Sequence, residues 1–183
     1  MNPLIEEFKT QGRHLAEGFK KEISGVRSNR PTPALLEDLK VSCYGQIMPL
    51  KQVSSINIVP PREMDIHVWD KDAVSAVTKA IESSGLGLSA SAEGNIIRVF
   101  LPELSKERRE ELTKHLKHLA EESRIKLRHF RDETNKKIQK ALDNGEISED
   151  AKFKLKKEVQ DETDKTNEAI EKILERKIKE VEN

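Results

Sequence analysis

The sequence predicts an α+β protein in which a long three-helix bundle is interrupted by a small β/α/β domain. Apolar residues recur at helical spacing before residue 30 and again after residue 105, whereas the stretch between has short runs rich in β-branched residues. Prolines stand at both boundaries, Pro31 and Pro33 at one and Pro102 at the other, where they interrupt regular structure. One helix before the insertion and two after it can close on one another as a bundle.

The first predicted helix covers residues 3–27. Its apolar positions share one face: Leu4, Phe8, Leu15, Phe19, Ile23 and Val26. Gly12 lies in this stripe, where a close helix approach could use it. The helix must end before Pro31, because the residue preceding a proline is disfavoured in a helix.

The inserted stretch is predicted to contain four strands, a helix and a fifth strand. The predicted strands are 39–43, 47–50, 53–59, 64–69 and 95–101, and the helix is 73–83. Tyr44 and Gly45 form the predicted turn between the first two strands, and Asp72 is the predicted N-cap of the helix. Trp69 is interpreted as a packing residue of this domain.

The second predicted helix is the longest, from Ser105 to about Asn144. Ser105 is its expected N-cap, Gly145 supplies a stop signal, and neither proline nor glycine interrupts it. At 1.5 Å per residue it would be a rod of roughly 60 Å. A third helix is predicted to begin after the N-cap Ser148.

These elements predict two domains. Residues 1–29 and 105–183 form the bundle, residues 30–104 form the inserted domain, and the hinges lie near 28–33 and 102–105. The predicted hinge residues are Arg30, Pro31, Pro33, Pro102 and Ser105. Two short parallel linkers would restrict stretching while allowing the inserted domain to swing.

Charge is neutral overall but unevenly distributed. Residues 105–145 carry twelve basic and eight acidic side chains, whereas residues 31–104 carry six basic and nine acidic ones. Neutral totals argue against a non-specific DNA coat and leave room for a local RNA contact.

Three arginines of the long helix, Arg124, Arg128 and Arg131, are spaced four and three apart and so share a face. A row of guanidinium groups on a rigid rod suits phosphate binding. The alternative, given equal weight, is a solvated flank that exchanges charge with Glu121 and Asp132.

No enzyme or metal constellation emerges, and we predict no catalytic residue and no cofactor. His115 and His118 share a helix face with acidic residues, but solvated imidazoles and ion pairs explain that pattern better than a metal. The single Cys43 suits a reducing compartment, and neither an export signal nor a membrane span is visible, so we predict a cytoplasmic protein.

Several motifs, each weak alone, are specific in their order and spacing. They are Arg27 to Leu36, Tyr44-Gly45 with Pro49-Leu50, Leu86-Gly87-Leu88, Ile97-Arg98 before Pro102, Glu107-Arg108-Arg109, Arg128 to Arg131, Ile147 to Asp150, and Thr163-Asp164. On these residues the chain resembles the ribosome recycling factor family over nearly its whole length. The resemblance implies an L-shaped molecule of tRNA size that splits the ribosome after termination together with elongation factor G and GTP. Any GTP would belong to that partner.

The resemblance also implies a binding site on ribosomal RNA of the large subunit. Its predicted residues are Arg128, Arg131, Arg124, Arg109, Arg108, Arg27 and Arg30. Asp132 stands where family members commonly carry a second arginine, a change expected to weaken phosphate binding. The protein is predicted to be a monomer. The alternative function is a coiled-coil adaptor whose inserted domain recognises a protein partner.

Overall fold

The fold is described by a computed structural model in which residues 2–182 are placed. Met1 and Asn183, the outer ends of the predicted bundle domain, lie outside the described residues. The chain forms two compact units, the first containing residues up to 23 and 114–176, and the second containing residues 24–113 and those from 177 onward. Long helices surround an inserted β/α/β segment in the chain order, so the predicted α+β class is confirmed.

The long helices begin and end at local sequence signals. They are α1 (Pro3–Ser24), α3 (Lys106–Asp143) and α4 (Glu149–Glu182). The Arg108 amide donates to Ser105 Oγ over 3.2 Å, so Ser105 is the predicted N-cap of α3. Gly145, two residues beyond the end of that helix, takes a positive φ of 73°.

In the first unit the three helices pack around a narrow apolar core. The buried members of this core are Ile5, Phe8, Leu127, Ile138, Leu155 and Val159. Gly12 of α1 faces Thr166 of α4, and a Cβ atom at Gly12 would lie 2.8 Å from Thr166 Oγ1. The close helix approach expected at Gly12 is therefore present.

The inserted segment begins with a two-stranded hairpin, β1 (Lys40–Cys43) and β2 (Gln46–Pro49). Tyr44 and Gly45 connect the strands with φ values of 54° and 74°. Two consecutive positive φ values are typical of the tight turn that matches strand twist. The predicted turn is confirmed, and it leaves the Tyr44 side chain exposed.

A four-stranded antiparallel sheet follows, in the order β3 (Ser54–Val59), β4 (Glu63–Val68), β6 (Ile96–Phe100) and β5 (Ser89–Glu93). Helix α2 (Val74–Glu82) packs its buried side chains into the same core. That core contains Met64, Ile66, Val77, Ile81, Ile97 and Val99, each fully buried.

Three details of this segment differ from the prediction. Strand β5 was not predicted, because Ser89–Glu93 contains only serine, alanine and glutamate. Asp72 does not cap α2, which has no side-chain cap; instead Asp70 Oδ1 accepts from the Asp72 amide over 3.0 Å and caps a single 3-10 turn, Lys71–Ala73, that precedes the helix. Trp69 is 68% exposed and does not pack in the core, because it follows the last paired residue of β4.

The two linkers of the inserted segment meet in the second unit. Asn29 Nδ2 donates to the Val181 carbonyl over 3.3 Å, and Asn29 Oδ1 accepts from the Leu104 amide over 3.2 Å. One side chain thus joins the outgoing linker, the returning linker and the last turn of α4. Within residues 2–182, no helix is both long and apolar enough to cross a membrane.

Candidate nucleic-acid interface

Three arginines form a row along the surface of α3. Arg124, Arg128 and Arg131 lie beside Leu127, which is buried on the adjoining face. Their side chains retain 32%, 55% and 33% of their accessible surface, respectively. The row therefore follows the border of the buried seam, as the spacing predicts, and its guanidinium groups are not turned into the core.

The first two arginines of the row are paired with carboxylates. Arg124 Nη2 bonds to Glu171 of α4, and Arg124 Nη1 lies 3.5 Å from Glu121 Oε2. Arg128 Nη2 donates to Glu121 Oε1 over 2.5 Å. Glu121 therefore bridges two arginines, so the ion pairs considered as the alternative to phosphate binding are present in the free protein.

Arg131 is paired with its neighbour in the sequence. Asp132 Oδ1 accepts from Arg131 Nε over 3.1 Å and from Nη2 over 3.0 Å. The Asp132 side chain is 57% exposed. Exposed pairs of this kind contribute only about 0 to 1 kcal/mol, and a phosphate can accept the same bidentate bonds from a guanidinium group. Phosphate can therefore replace the carboxylates along the row at low cost.

Two further predicted arginines lie at the start of α3. Arg108 Nη1 donates to Glu111 Oε2 over 2.8 Å, and its side chain is 53% exposed. Arg109 Nη1 donates to the Glu182 carbonyl at the end of α4 over 2.9 Å. Arg108 thus resembles the row in its pairing, whereas Arg109 joins two helix ends.

Arg27 is held in a different way, because its three bonds all go to backbone carbonyls. Nη1 bonds to the Leu86 carbonyl and, over 3.0 Å, to the Gly87 carbonyl. Nη2 donates to the Pro102 carbonyl over 2.7 Å. Burial, and secondarily the charge of Arg108, lower the pKa of Arg27. The guanidinium group is half-buried and already engaged within the chain.

The remaining predicted residues lie along the two linkers. Arg30 is exposed, and its guanidinium group has no partner among residues 2–182. Pro31 is buried, Pro33 begins a single helical turn, and Pro102 is exposed. These residues belong to the second unit, whereas the row on α3 belongs to the first unit.

Metal binding finds no support in the part of the chain that the structure describes, since no group of three His, Cys, Asp or Glu side chains could hold an ion there. His118 Nε2 lies 3.3 Å from Glu122 Oε1, an exposed pair one helical turn apart. The position of His118 is therefore explained by local pairing.

Sequence reasoning missed the partners that come from distant segments. Glu171 is 47 residues from Arg124, and the carbonyls that Arg27 bonds are 59 to 75 residues away from it. No local pattern indicates such pairs. The usable signal is limited to the repeat of acidic residues at helical spacing on α4, which places Glu171 on a face of that helix but does not identify the arginine opposite.

Comparison with known proteins identifies one family. The family model described as ribosome recycling factor matches residues 19–181. Ribosome-recycling factor of Thermosipho africanus is 38% identical over 180 residues, covering 98% of this chain and 97% of the relative. Ribosome-recycling factor of Rhodopseudomonas palustris is 41% identical over 180 residues, covering 97% of this chain and 95% of the relative.

Solved structures give the same result. A solution structure of the ribosome recycling factor matches with a TM-score of 0.75 at 36% identity, covering 100% of this chain and 99% of that one. A second match has a TM-score of 0.69 at 32% identity and covers 97% and 96% of the two chains. It is the T. thermophilus ribosome recycling factor, in models with E. coli elongation factor G bound to the E. coli post-termination complex.

Proposed function

Because the chain belongs to the ribosome recycling factor family, we propose that it binds the ribosome after termination and splits it into subunits together with elongation factor G and GTP. Family membership over nearly the full length is the observation that carries this proposal. The solved relative bound with elongation factor G to a post-termination complex supports the same partners. The alternative of a coiled-coil adaptor has no comparable support.

The ribosome contact that we propose is made by ribosomal RNA of the large subunit with the row on α3. Arg124, Arg128 and Arg131 present guanidinium groups over a rigid helix, and each is held only by exposed carboxylates. Guanidinium groups bind phosphates bidentately and stack on unpaired bases. Arg108, Arg109 and exposed Arg30, which belong to the second unit, are proposed as further RNA contacts.

We further propose that residues 1–29 and 105–183 act as one domain and residues 30–104 as another. The segments 28–33 and 102–105 would be the hinges, where Pro31, Pro33 and Pro102 limit each linker to a few conformations. Arg30 and Ser105 lie at the inner ends of these segments. The paired linkers would let the inserted domain swing without being pulled away from the bundle.

In this proposal the protein has no catalytic activity and no cofactor of its own. GTP is hydrolysed by elongation factor G. It acts as a monomer in the cytoplasm, where its ribosomal partner is found. Its contribution to splitting is to bind RNA through fixed cations and to receive the force that the GTPase exerts on the inserted domain.

A subunit-splitting assay with purified post-termination ribosomes, elongation factor G and GTP tests this function. Wild-type protein should pellet with large subunits and raise the splitting rate, whereas Arg131→Ala should weaken both. Arg98→Ala is the matched control, because Arg98 is also an exposed arginine paired with a carboxylate but lies on the sheet. An adaptor would not pellet with large subunits, and that result would refute the proposal.

Salt dependence tests the electrostatic part. The logarithm of the binding constant should fall with the logarithm of salt concentration, with a slope of roughly −0.7 to −0.9 for each phosphate neutralised. A flat response would show that the arginines do not bind phosphates.

A further inference from the structure

Three segments that are distant in the sequence meet at the guanidinium group of Arg27. Arg27 lies three residues beyond the end of α1. Its partners are the Leu86 and Gly87 carbonyls in the loop between α2 and β5 and the Pro102 carbonyl in the returning linker. All of these residues belong to the second unit. One side chain therefore ties the end of the first long helix to the inserted segment at two separate places.

We propose that Arg27 is a positioning residue that clasps the inserted domain to the end of α1 and so fixes its resting orientation, and that it does not contact RNA. The inference deepens the proposed hinge and rests on the proposed function only for its effect on ribosome splitting. The first hinge segment, 28–33, lies within the stretch of chain between Arg27 and Pro102 that this clasp closes, and Pro102 begins the second, 102–105.

The loop between α2 and β5 leaves space at Gly87 for the guanidinium group of Arg27. Gly87 has a positive φ of 63°, and a Cβ atom at this position would lie 2.7 Å from Arg27 Nη1. The carbonyls of Leu86 and Gly87 can both point at one nitrogen because no side chain fills the space between. Gly85 has a similar φ of 71° but nothing within 4 Å of where its Cβ atom would lie. The clearance at Gly87 thus serves the guanidinium group specifically.

The hydrogen bonds of Arg27 also make its guanidinium group unavailable to an RNA phosphate. Backbone carbonyls cannot rotate away as carboxylate side chains can, so a phosphate could reach this group only after three bonds were broken. Nε of Arg27 is buried and finds no hydrogen-bond partner among residues 2–182, a cost that the three carbonyl bonds offset. The positive charge of Arg108 lies close enough to Arg27 to disfavour the charged guanidinium group there.

Spin-label distances in the full-length protein test the clasp without ribosomes. Labels on cysteines introduced at Ser75 of α2 and Glu110 of α3 report the separation, since both positions are exposed and the native Cys43 is buried. Wild-type protein should give a dominant narrow peak for the clasped orientation, with a minor population outside it in which the clasp is open and the domain has swung. Arg27→Lys keeps the charge but not the fork of donors, and we expect a roughly tenfold rise in the population outside the narrow peak, the factor for one hydrogen bond to a charged group.

Gly87→Ala tests the clasp by changing the loop whose carbonyls accept the bonds from Arg27. The added methyl group would push the flexible guanidinium group off its carbonyls, so the distribution should broaden as in Arg27→Lys. Gly85→Ala is the matched control, because it imposes the same backbone strain without touching Arg27. Circular dichroism confirms that each variant is folded. Narrow distributions in both Arg27→Lys and Gly87→Ala, or equal broadening in Gly85→Ala, would overturn the clasp.

Ribosome binding distinguishes the clasp from a phosphate contact. If Arg27 positions the domain, Arg27→Lys and Gly87→Ala change the splitting rate alike and leave the salt slope of binding as in wild type. If Arg27 binds a phosphate, Arg27→Gln lowers the magnitude of that slope by roughly 0.7 to 0.9 while Gly87→Ala does not, and the proposal is wrong. Wild-type protein that failed to bind ribosomes would refute the proposed function, whereas the label distances would still test the clasp.

Discussion

Arg27 and the arginines of α3 carry the same charged group but are held by different partners. Arg124, Arg128 and Arg131 bond to carboxylate side chains on an accessible surface. Arg27 bonds to three main-chain carbonyls and is half-buried. A carboxylate side chain can rotate away and be replaced by another anion, whereas a main-chain carbonyl remains where the fold places it.

This difference separates two uses of arginine that the sequence does not distinguish. Carboxylate pairing keeps an exposed guanidinium group ordered in the free protein and can still be exchanged for phosphate, since such pairs contribute little to stability. Hydrogen bonds to carbonyls attach the guanidinium group to the backbone of distant segments. We therefore expect substitutions in the row to change binding, and substitutions at Arg27 to change the orientation of the inserted domain.

The largest effect should follow from removing two arginines of the row. Each charge-assisted contact is worth about 1.5 to 3 kcal/mol, so Arg128→Ala combined with Arg131→Ala should weaken binding to large subunits by roughly 100-fold or more. Alanine keeps the helix intact because it has the highest helix propensity. Sedimentation or fluorescence titration with labelled protein measures the affinity.

Arg98→Ala is the control for this double variant, since it removes an exposed, carboxylate-paired arginine from the sheet. Its affinity should remain at the wild-type value. Equal losses in the control and the double variant would mean that general charge, rather than the row on α3, accounts for binding.

A smaller effect in the opposite direction is expected from Asp132→Asn. The substitution removes the carboxylate that occupies Arg131, so binding should tighten about two- to fivefold, the range that an exposed ion pair of up to about 1 kcal/mol allows. Titration at fixed salt measures the change. Asp143→Asn makes the same charge change at the end of α3, where Asp143 accepts a bond from Gln139, and should leave affinity nearly unchanged.

Elements of the fold could be predicted from the sequence where their signals lie close together along the chain. Both ends of α3 were predicted because Ser105 and Gly145 carry their signals within one turn of the helix. Strand β5 was not, since its Ser-Ala-Ser-Ala sequence joins the sheet only through pairing with β6. Trp69 was misplaced because an apolar side chain at a strand end can face either the core or solvent.

The site shows the same limit. Spacing alone put the row of arginines on one border of α3, because helical geometry relates positions four and three residues apart. The pairing of Arg124 with Glu171 depends on how α4 packs beside α3, and the partners of Arg27 depend on the path of two linkers. Their roles in RNA binding stay a prediction.

The interhelical pair of the row offers a test on stability. Glu171→Gln removes the partner of Arg124 on α4, and we expect the free energy of unfolding to fall by less than about 1 kcal/mol, because both side chains are accessible. Urea denaturation measures it. Glu7→Gln, which breaks the exposed pair of Glu7 with Lys137 across two helices, should cost a similar amount. If Glu171→Gln alone lowered the free energy of unfolding by several kcal/mol, Arg124 would be a structural arginine like Arg27.

The smallest effect on function is expected at the hairpin of the inserted domain, where a carboxylate holds a phenol. The hydroxyl of Tyr44 donates to Asp70, and this bond, more than burial, raises the pKa of Tyr44 to about 12. The same bond lowers the pKa of Asp70. Its contribution to stability should therefore be fully present between the ordinary pKa of aspartate, 3.8, and that of tyrosine, about 10. It should be lost as the pH rises toward 12, and also as the pH falls below 3.8 and Asp70 is protonated.

Asp70→Asn tests this bond because Tyr44 is the single tyrosine of the chain, so the absorbance of tyrosinate reports one group. The amide can still cap the turn before α2, but it accepts a weaker bond from the phenol, and the Tyr44 pKa should move back toward 10. Asp72→Asn is the matched control, since Asp72 makes a smaller contribution to the raised pKa. A Tyr44 pKa that stays near 12 in Asp70→Asn would show that the Asp70 carboxylate does not bind the Tyr44 hydroxyl. The exposed carboxylate pairs of the α3 arginines would then lack this supporting example of pairing on an exposed surface.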